Sequence, residues 1–443
     1  MSPTATAAGR RGLANLEPVA ADHQPAWLEG LRRDAVAWIA EHGFPTQKDE
    51  DWKYTNVGPL LEVPFEVAPP PSRYLPPLST IEELAGDLVG VRLVFVNGHL
   101  TLELSSLVGL PHGARVTSFA SALAEDATLL EPVLVRSSRG YRHAFTALND
   151  ALAEDGVFIH VPPDTIVAAP IHLVFLTESG PSPLVSSPRS MVLVGTRSRA
   201  TIVETYVGMG GGYLTNAVTE VVLEDGARVE HYKIQDEAAD AYHLAALHVR
   251  PGRDSSFSTY LLALGAAIAR HEVWVRLEDE GAEVTLNGLY LPEGDQQHDN
   301  PTFIEHVAPH CTSRQLYKGA LGGHGRGVFN GRIVVGADAA GTDASQTNKN
   351  LLLSSTAEVD TRPRLEIFTD DVRCTHGAAV GQLDEDAVFY LRSRGVPHHE
   401  ARAVLTYAFA REMLELIAVG PLRSHVEGRV AERLRAARVE AGQ

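Results

Sequence analysis

From Gln24 to His42 the apolar residues Trp27, Leu28, Leu31, Ala35, Trp38 and Ile39 recur at the spacing of one helix face. Gly43 and Pro45 close the pattern. The spacing predicts an amphipathic helix whose stripe packs on a core. The proline-rich stretch Pro69 to Pro77 predicts an extended connector. Leu93 to Val96 then reads as a short strand closed by the turn residues Asn97 and Gly98. From about Gly156 to Phe368 the texture changes to short β-branched runs such as VFIHV, IHLVFL, TIVETYV and HEVWVRL, mostly separated by Gly, Pro, Asp or Ser. No helical period lies between them, so this stretch predicts an all-β body. Barrel, sandwich and solenoid all satisfy the pattern. Some 200 residues of it favour a stacked β-helix, although no strict repeat of residue identities is visible. Helical texture returns after Cys374, in segments beginning at Asp384, Pro397 and Leu422 and punctuated by Gly395, Gly420 and Pro421. Val426, Val430 and Leu434 form one stripe in the last segment, to close the domain or to dock a partner.

Composition narrows the function classes. The chain has 443 residues, with 44% hydrophobic and 21% charged, as expected of a folded protein. A net charge of -18 argues against nucleic acid or an anionic membrane as partner. Lys48, Lys53, Lys233, Lys318 and Lys349 are the only lysines, and none is followed by Ser or Thr. A phosphate-binding loop of the GxxxxGK[ST] form is therefore absent, and any ATPase of that type must be a partner. No run of 18 apolar residues exists to span a bilayer. Cys311 and Cys374, the only two cysteines, suit a reducing cytoplasm and cannot build a four-cysteine metal site.

Candidate chemistry concentrates in DVRCTHG, residues 371–377. In a strand, residues two apart share a face, so Val372, Cys374 and His376 group together while Arg373 and Thr375 point away. Cys beside His suits a soft to borderline metal. Two donors fall short of the four that a tetrahedral zinc or iron-sulfur centre needs, so further donors must come from elsewhere in the chain or from a second protein. The plain structural alternative is a buried cysteine beside a hydrogen-bonded histidine. His306, His310 and Cys311 have a superficial ligand spacing, but Pro309 interrupts regular geometry and turn roles explain them. His398 and His399 follow Pro397 at a helix start, where surface or capping roles are expected. The glycine clusters Gly208 to Tyr213 and Leu321 to Gly327 precede β-rich sequence and so predict turns, not dinucleotide cradles. Asp370, Asp371, Asp384, Glu385 and Asp386 are accounted for by turns and helix caps.

Three segments resemble the SufB/SufD family of the SUF iron-sulfur cluster assembly system: KDEDWKYTN from Lys48, HCTSRQLYKGAL from His310, and the block of some fifty residues from Ser345 to Gly395. SufB members carry a Glu-His-Glu arrangement where this chain has Thr375, His376 and Gly377. The Cys-x-His-Gly form is that of SufD members. The resemblance implies a mainly β fold with a right-handed parallel β-helix core and helical N-terminal and C-terminal domains. Boundaries are expected at 1–20 for a disordered tail, 21–150 for the N-terminal domain, 151–380 for the core and 381–443 for the C-terminal domain. It further implies a complex of SufB, SufD and two copies of the ATPase SufC, which docks on the C-terminal helices. In this scheme a transient iron-sulfur cluster forms at the SufB interface, where His376 acts with SufB residues and Cys374 has a less defined part. No cofactor is then expected to be tightly bound to the isolated chain, which is a scaffold and not an enzyme. A SufB-like homodimer and a β-helix carbohydrate-active enzyme are the rival expectations.

Overall fold

The computed structural model describes residues 12–13, 16–17, 24–71, 75–140 and 142–440. Most of the expected 1–20 tail lies outside these, and within it Leu13 is buried in one cluster with Trp52 and Phe65. The chain is mainly β: a parallel β-solenoid of about eight turns with helices towards both termini. Its strands divide between an eleven-stranded and a ten-stranded sheet. From Arg189–Val194 onward, consecutive strands alternate between the two sheets, and each pairs in parallel with the strand one turn further on. Thus Tyr213–Leu223 joins the larger sheet, Arg228–Asp236 the smaller and Tyr242–Pro251 the larger again.

The period hidden in the sequence appears in the register. Arg228 lies beside Ser256, 28 residues on, then Ser256 beside Glu283 after 27 and Glu283 beside Thr312 after 29. One corner sets this spacing. In every turn from Asp164 to Gly341 a single residue there adopts the left-handed conformation: Asp164, Arg197, Gly226, Asp254, Gly281, His310 and Gly341, with φ between 53° and 74°. Each donates its backbone N–H to the carbonyl just before the corresponding corner of the next turn. Gly226 donates to Arg253 O at 2.8 Å, and His310 to Ala340 O at 2.8 Å. The N–H of each corner residue is therefore satisfied despite the sharp bend. Glycine and aspartate accept this conformation readily, whereas Arg197 and His310 pay for it in local strain.

Inward-facing side chains fill the lumen. The core runs from Val91 to Ala357 and includes a stack of Phe95, Phe175 and Tyr206 with ring centroids 5.0 and 4.7 Å apart. The fill is not all apolar. His298 donates from Nε2 to Gly265 O at 3.0 Å, and His306 Nε2 is hydrogen-bonded to Ser313 Oγ at 2.9 Å. Outside the lumen, His172 is fully buried and bonded to Thr205 Oγ1 at 2.9 Å. Burial pushes these three imidazoles down, His172 and His298 to about 3 and His306 to about 4.

The flanking helices cover opposite sheets. On the larger sheet, Ala26–His42 and Ala144–Leu152 pack together, and Phe145, Trp52 and Leu148 seal against Leu214 and Leu244. A buried network sits beneath them: Arg189 bonds Asp150 at 2.8 Å, Glu220 at 3.0 Å and Asn149 at 3.1 Å. On the smaller sheet, the helices Glu385–Ser393, His398–Leu414 and Gly420–Glu440 bury Val388, Met413, Val426 and Val430 against Tyr232, Tyr260 and Leu289. The stripe of Val426 and Val430, with Leu434 partly buried beside it, thus faces the core. Lys318 ties the layers by bonding Phe409 O at 3.0 Å and pairing with Glu412. No helix among the described residues is long and apolar enough to cross a membrane.

Candidate functional site at the open end of the solenoid

The solenoid ends on two strands that each have only one neighbour. Glu358–Ile367 closes the larger sheet and Val372–Gln382 the smaller, so both present an unpaired edge. Each is long, at 10 and 11 residues, and no charged residue follows Arg373 in the second. Beside them Phe368 is 66% exposed and Val380 49%. The first edge is blunted by Glu358, Asp360, Arg362, Pro363, Arg364 and Glu366, whereas the second is weakly charged and forms a template for another strand.

Cys374 and His376 lie on the second of these strands. Their ladder partners on the preceding turn are Ala344 and Gln346, both buried. Alternation therefore places both side chains on the inner side of the sheet, as the sequence predicts. Their surroundings differ. Cys374 is half-buried and packs against the lumen core, and burial raises its thiol above the ordinary value. His376 is exposed, because no further turn covers it. Among the described residues no cluster of three or more His, Cys, Asp or Glu is placed to hold a metal ion. The pair offers one accessible imidazole and one shielded thiol.

The remaining candidates separate. His306 points into the lumen, His310 is a corner residue with φ of 60°, and Cys311 is buried with Sγ 3.3 Å from Asp279 O. They do not converge. His398 and His399 are exposed at the start of their helix, after Pro397 at its N-cap. Gly208 to Tyr213 spans the bend between two solenoid strands, and Leu321 to Gly327 another. Asp384 caps the helix Glu385–Ser393 by accepting from Asp386 N at 2.9 Å.

What sequence inspection misses is the convergence of distant segments on this end. Glu50 accepts from Arg362 of the last strand of the larger sheet at 2.6 Å, and Asp51 lies 3.8 Å from Arg364. Tyr54 O accepts from Gln297 at 2.8 Å, and Thr55 bonds Asp299. The segment from Lys48 to Asn56 thus straps the N-terminal helices to the final turns. Strand Thr312–Leu321 pairs with Thr342–Leu352, which in turn carries the strand of His376.

Comparison with known proteins agrees with this architecture. Residues 175–409 match the SUF system FeS cluster assembly SufBD core domain, and residues 14–173 match the SufBD protein N-terminal region. The chain is 32% identical to the iron-sulfur cluster assembly protein SufD of Escherichia coli, over 92% of this chain and 94% of that protein. It is 32% identical to an iron-sulfur cluster assembly SufBD family protein of Synechocystis, over 90% and 89%. SufD of Bacillus subtilis is 26% identical over 87% and 89%. With both regions matched in order and full-length relatives of the same name, the chain belongs to the SufBD family of the SUF iron-sulfur cluster assembly system.

Proposed function

We propose that this chain is the SufD-type scaffold of a cytoplasmic SufB–SufC–SufD complex, and that it lends His376 to an assembly site completed by SufB. The observation that carries the proposal is the exposed imidazole of His376 on an inner-facing position of an unpaired terminal strand. Strand addition at that edge would seat a partner directly beside it. A neutral imidazole binds iron through a ring nitrogen, and the nascent cluster is the cargo of the site. Cys374 has the lesser part, since its half-buried thiol resists ionisation. The scaffold is not itself a catalyst. Its lack of a phosphate-binding loop fits an ATPase supplied in trans by SufC, docked on the C-terminal helices. There Phe389 is 69% exposed and Val404 55%. Motion of the ATPase would then shift the population in which His376 is open to the cluster.

The test is co-purification with SufB and SufC, followed by anaerobic cluster reconstitution with wild type and His376→Ala. The variant should assemble the complex and fail to build the cluster. Undiminished reconstitution and full complementation in cells would remove His376 from the mechanism. A complex built from two copies of this chain, active without SufB, would replace the heteromeric scheme with the homodimeric one.

A further inference from the structure

A cavity of about 280 Å³ lies between the strap around Trp52 and the outer face of the larger sheet. It sits on the other sheet from His376. Its floor is one register row across four adjacent strands: Trp274 beside Phe303, Phe303 beside Arg332, and Arg332 beside Arg364. Trp274 and Phe303 have ring centroids 4.8 Å apart and make an apolar half; the two guanidiniums make a cationic half. Trp52, Arg142 and His143 close it from the N-terminal side.

The lining carries four guanidiniums against two carboxylates, Asp51 and Glu272. Glu272 is already neutralised by Arg270 Nε at 2.6 Å and lies 3.0 Å from His143 Nε2, and Arg332 is held in a fork by Glu366 at 2.7 and 2.9 Å. Arg142 is different. Its side chain is 17% exposed, and its Nε and Nη2 atoms are buried with no hydrogen-bond partner. The nearest carboxylate oxygen, on Asp150, stands 3.7 Å off and belongs to a residue bonded to Arg189. Arg364 Nε is also buried and unpartnered, while its Nη2 donates to Asn330 Oδ1 at 3.0 Å and its Nη1 lies 3.6 Å from Glu50. Buried donors without acceptors are costly, and these atoms are closed to the cavity as it stands; a small turn of the guanidiniums would bring them to a ligand whose acceptors relieve that cost.

We propose that this cavity binds a small aromatic acid, with its ring on Trp274 and Phe303 and its carboxylate on Arg142 and Arg364. Aromatic walls select a π-face, and planar guanidinium forks select a planar anion. The volume lies at the lower limit of small-molecule sites, which admits one or two fused rings and excludes a dinucleotide. Because the strap of residues 48–56 forms one wall, occupancy also braces the contact between the N-terminal helices and the final turns.

The probe is 2-naphthoate, titrated calorimetrically into the full chain, with 2-naphthamide and cyclohexanecarboxylate as comparators. Saturation at one site per chain is expected, with each comparator at least tenfold weaker. Arg142→Gln should weaken 2-naphthoate at least tenfold without lowering the melting temperature, and Arg142→Lys should retain part of the affinity. Trp274→Leu should weaken 2-naphthoate and 2-naphthamide alike. Absence of saturable binding would overturn the proposal. So would equal affinity for acid and amide, or binding that Arg142→Gln leaves unchanged.

Discussion

Lowering the pH from 7.5 to 5.5 should destabilise the fold through its buried histidines; His243, His271 and His425 are pushed down by burial as well, and three others give a calculable part of the loss. His172, His298 and His306 are held neutral by burial, with values of about 3, 3 and 4. In the unfolded chain each returns to about 6.5 and is roughly nine-tenths protonated at pH 5.5. The folded values lie below the unfolded ones. The stabilisation is therefore complete above pH 6.5 and is lost as pH falls, because only the unfolded chain takes up protons in this window. Each histidine then costs about 1.4 kcal/mol at pH 5.5 against less than about 0.1 at pH 7.5, or about 4 kcal/mol for the three. Glu204, held at about 2 chiefly by His231 against its own burial, titrates below this window. Asp150, Asp155 and Asp299 are pushed up by burial, a direction that opposes the loss wherever they titrate. The decisive measurement is therefore a difference. Urea unfolding of wild type and His306→Gln at both pH values should show a pH-dependent loss smaller by about 1.3 kcal/mol in the variant. Identical losses in the two proteins would refute the assignment of His306 as a buried neutral base.

Substitutions at three other positions probe the frame. His310→Gly should raise the unfolding midpoint, while His310→Val should lower stability by about 1–2 kcal/mol in urea titration, since a β-branched residue resists the corner conformation. Arg189→Met strands Asp150 and Glu220 in the interior and should cost about 3–5 kcal/mol by the same assay. Lys318→Met breaks the tie to Phe409 and Glu412 and should cost about 1–3 kcal/mol. In that variant hydrogen exchange should rise in residues 398–414 before the solenoid strands respond.

Local elements were legible in the sequence where local chemistry decides them. The stripe from Trp27 to Ile39 became the helix Ala26–His42, and Asn97 with Gly98 turns the strand Val91–Val96 back onto His99–Leu100. The runs VFIHV and HEVWVRL lie within Gly156–Val161 and Ile268–Leu277. The choice of solenoid over sandwich was not legible from the runs, because the period resides in backbone register and corner conformation. Asp164, Arg197, Gly226 and His310 do the same work with unrelated side chains. The same cause hid the row Trp274, Phe303, Arg332 and Arg364, which is contiguous only once the turns are stacked. Cys374 and His376 share a strand face, as spacing alone implies. That one is shielded and the other open depends on where the stack stops, which spacing does not encode.

The corner ladder makes the solenoid's height a whole-number quantity. Each turn adds one strand spacing, about 4.8 Å, and fractional turns are forbidden because a slip of one residue would point core side chains to solvent. The strap at residues 48–56 is cut to that height, gripping Gln297 and Asp299 on one turn and Arg362 two turns on. Loops between corners can lengthen freely in such a chain. A change in the number of turns between these grips requires the strap to be re-cut by the same increment, so it works as a ruler that counts them.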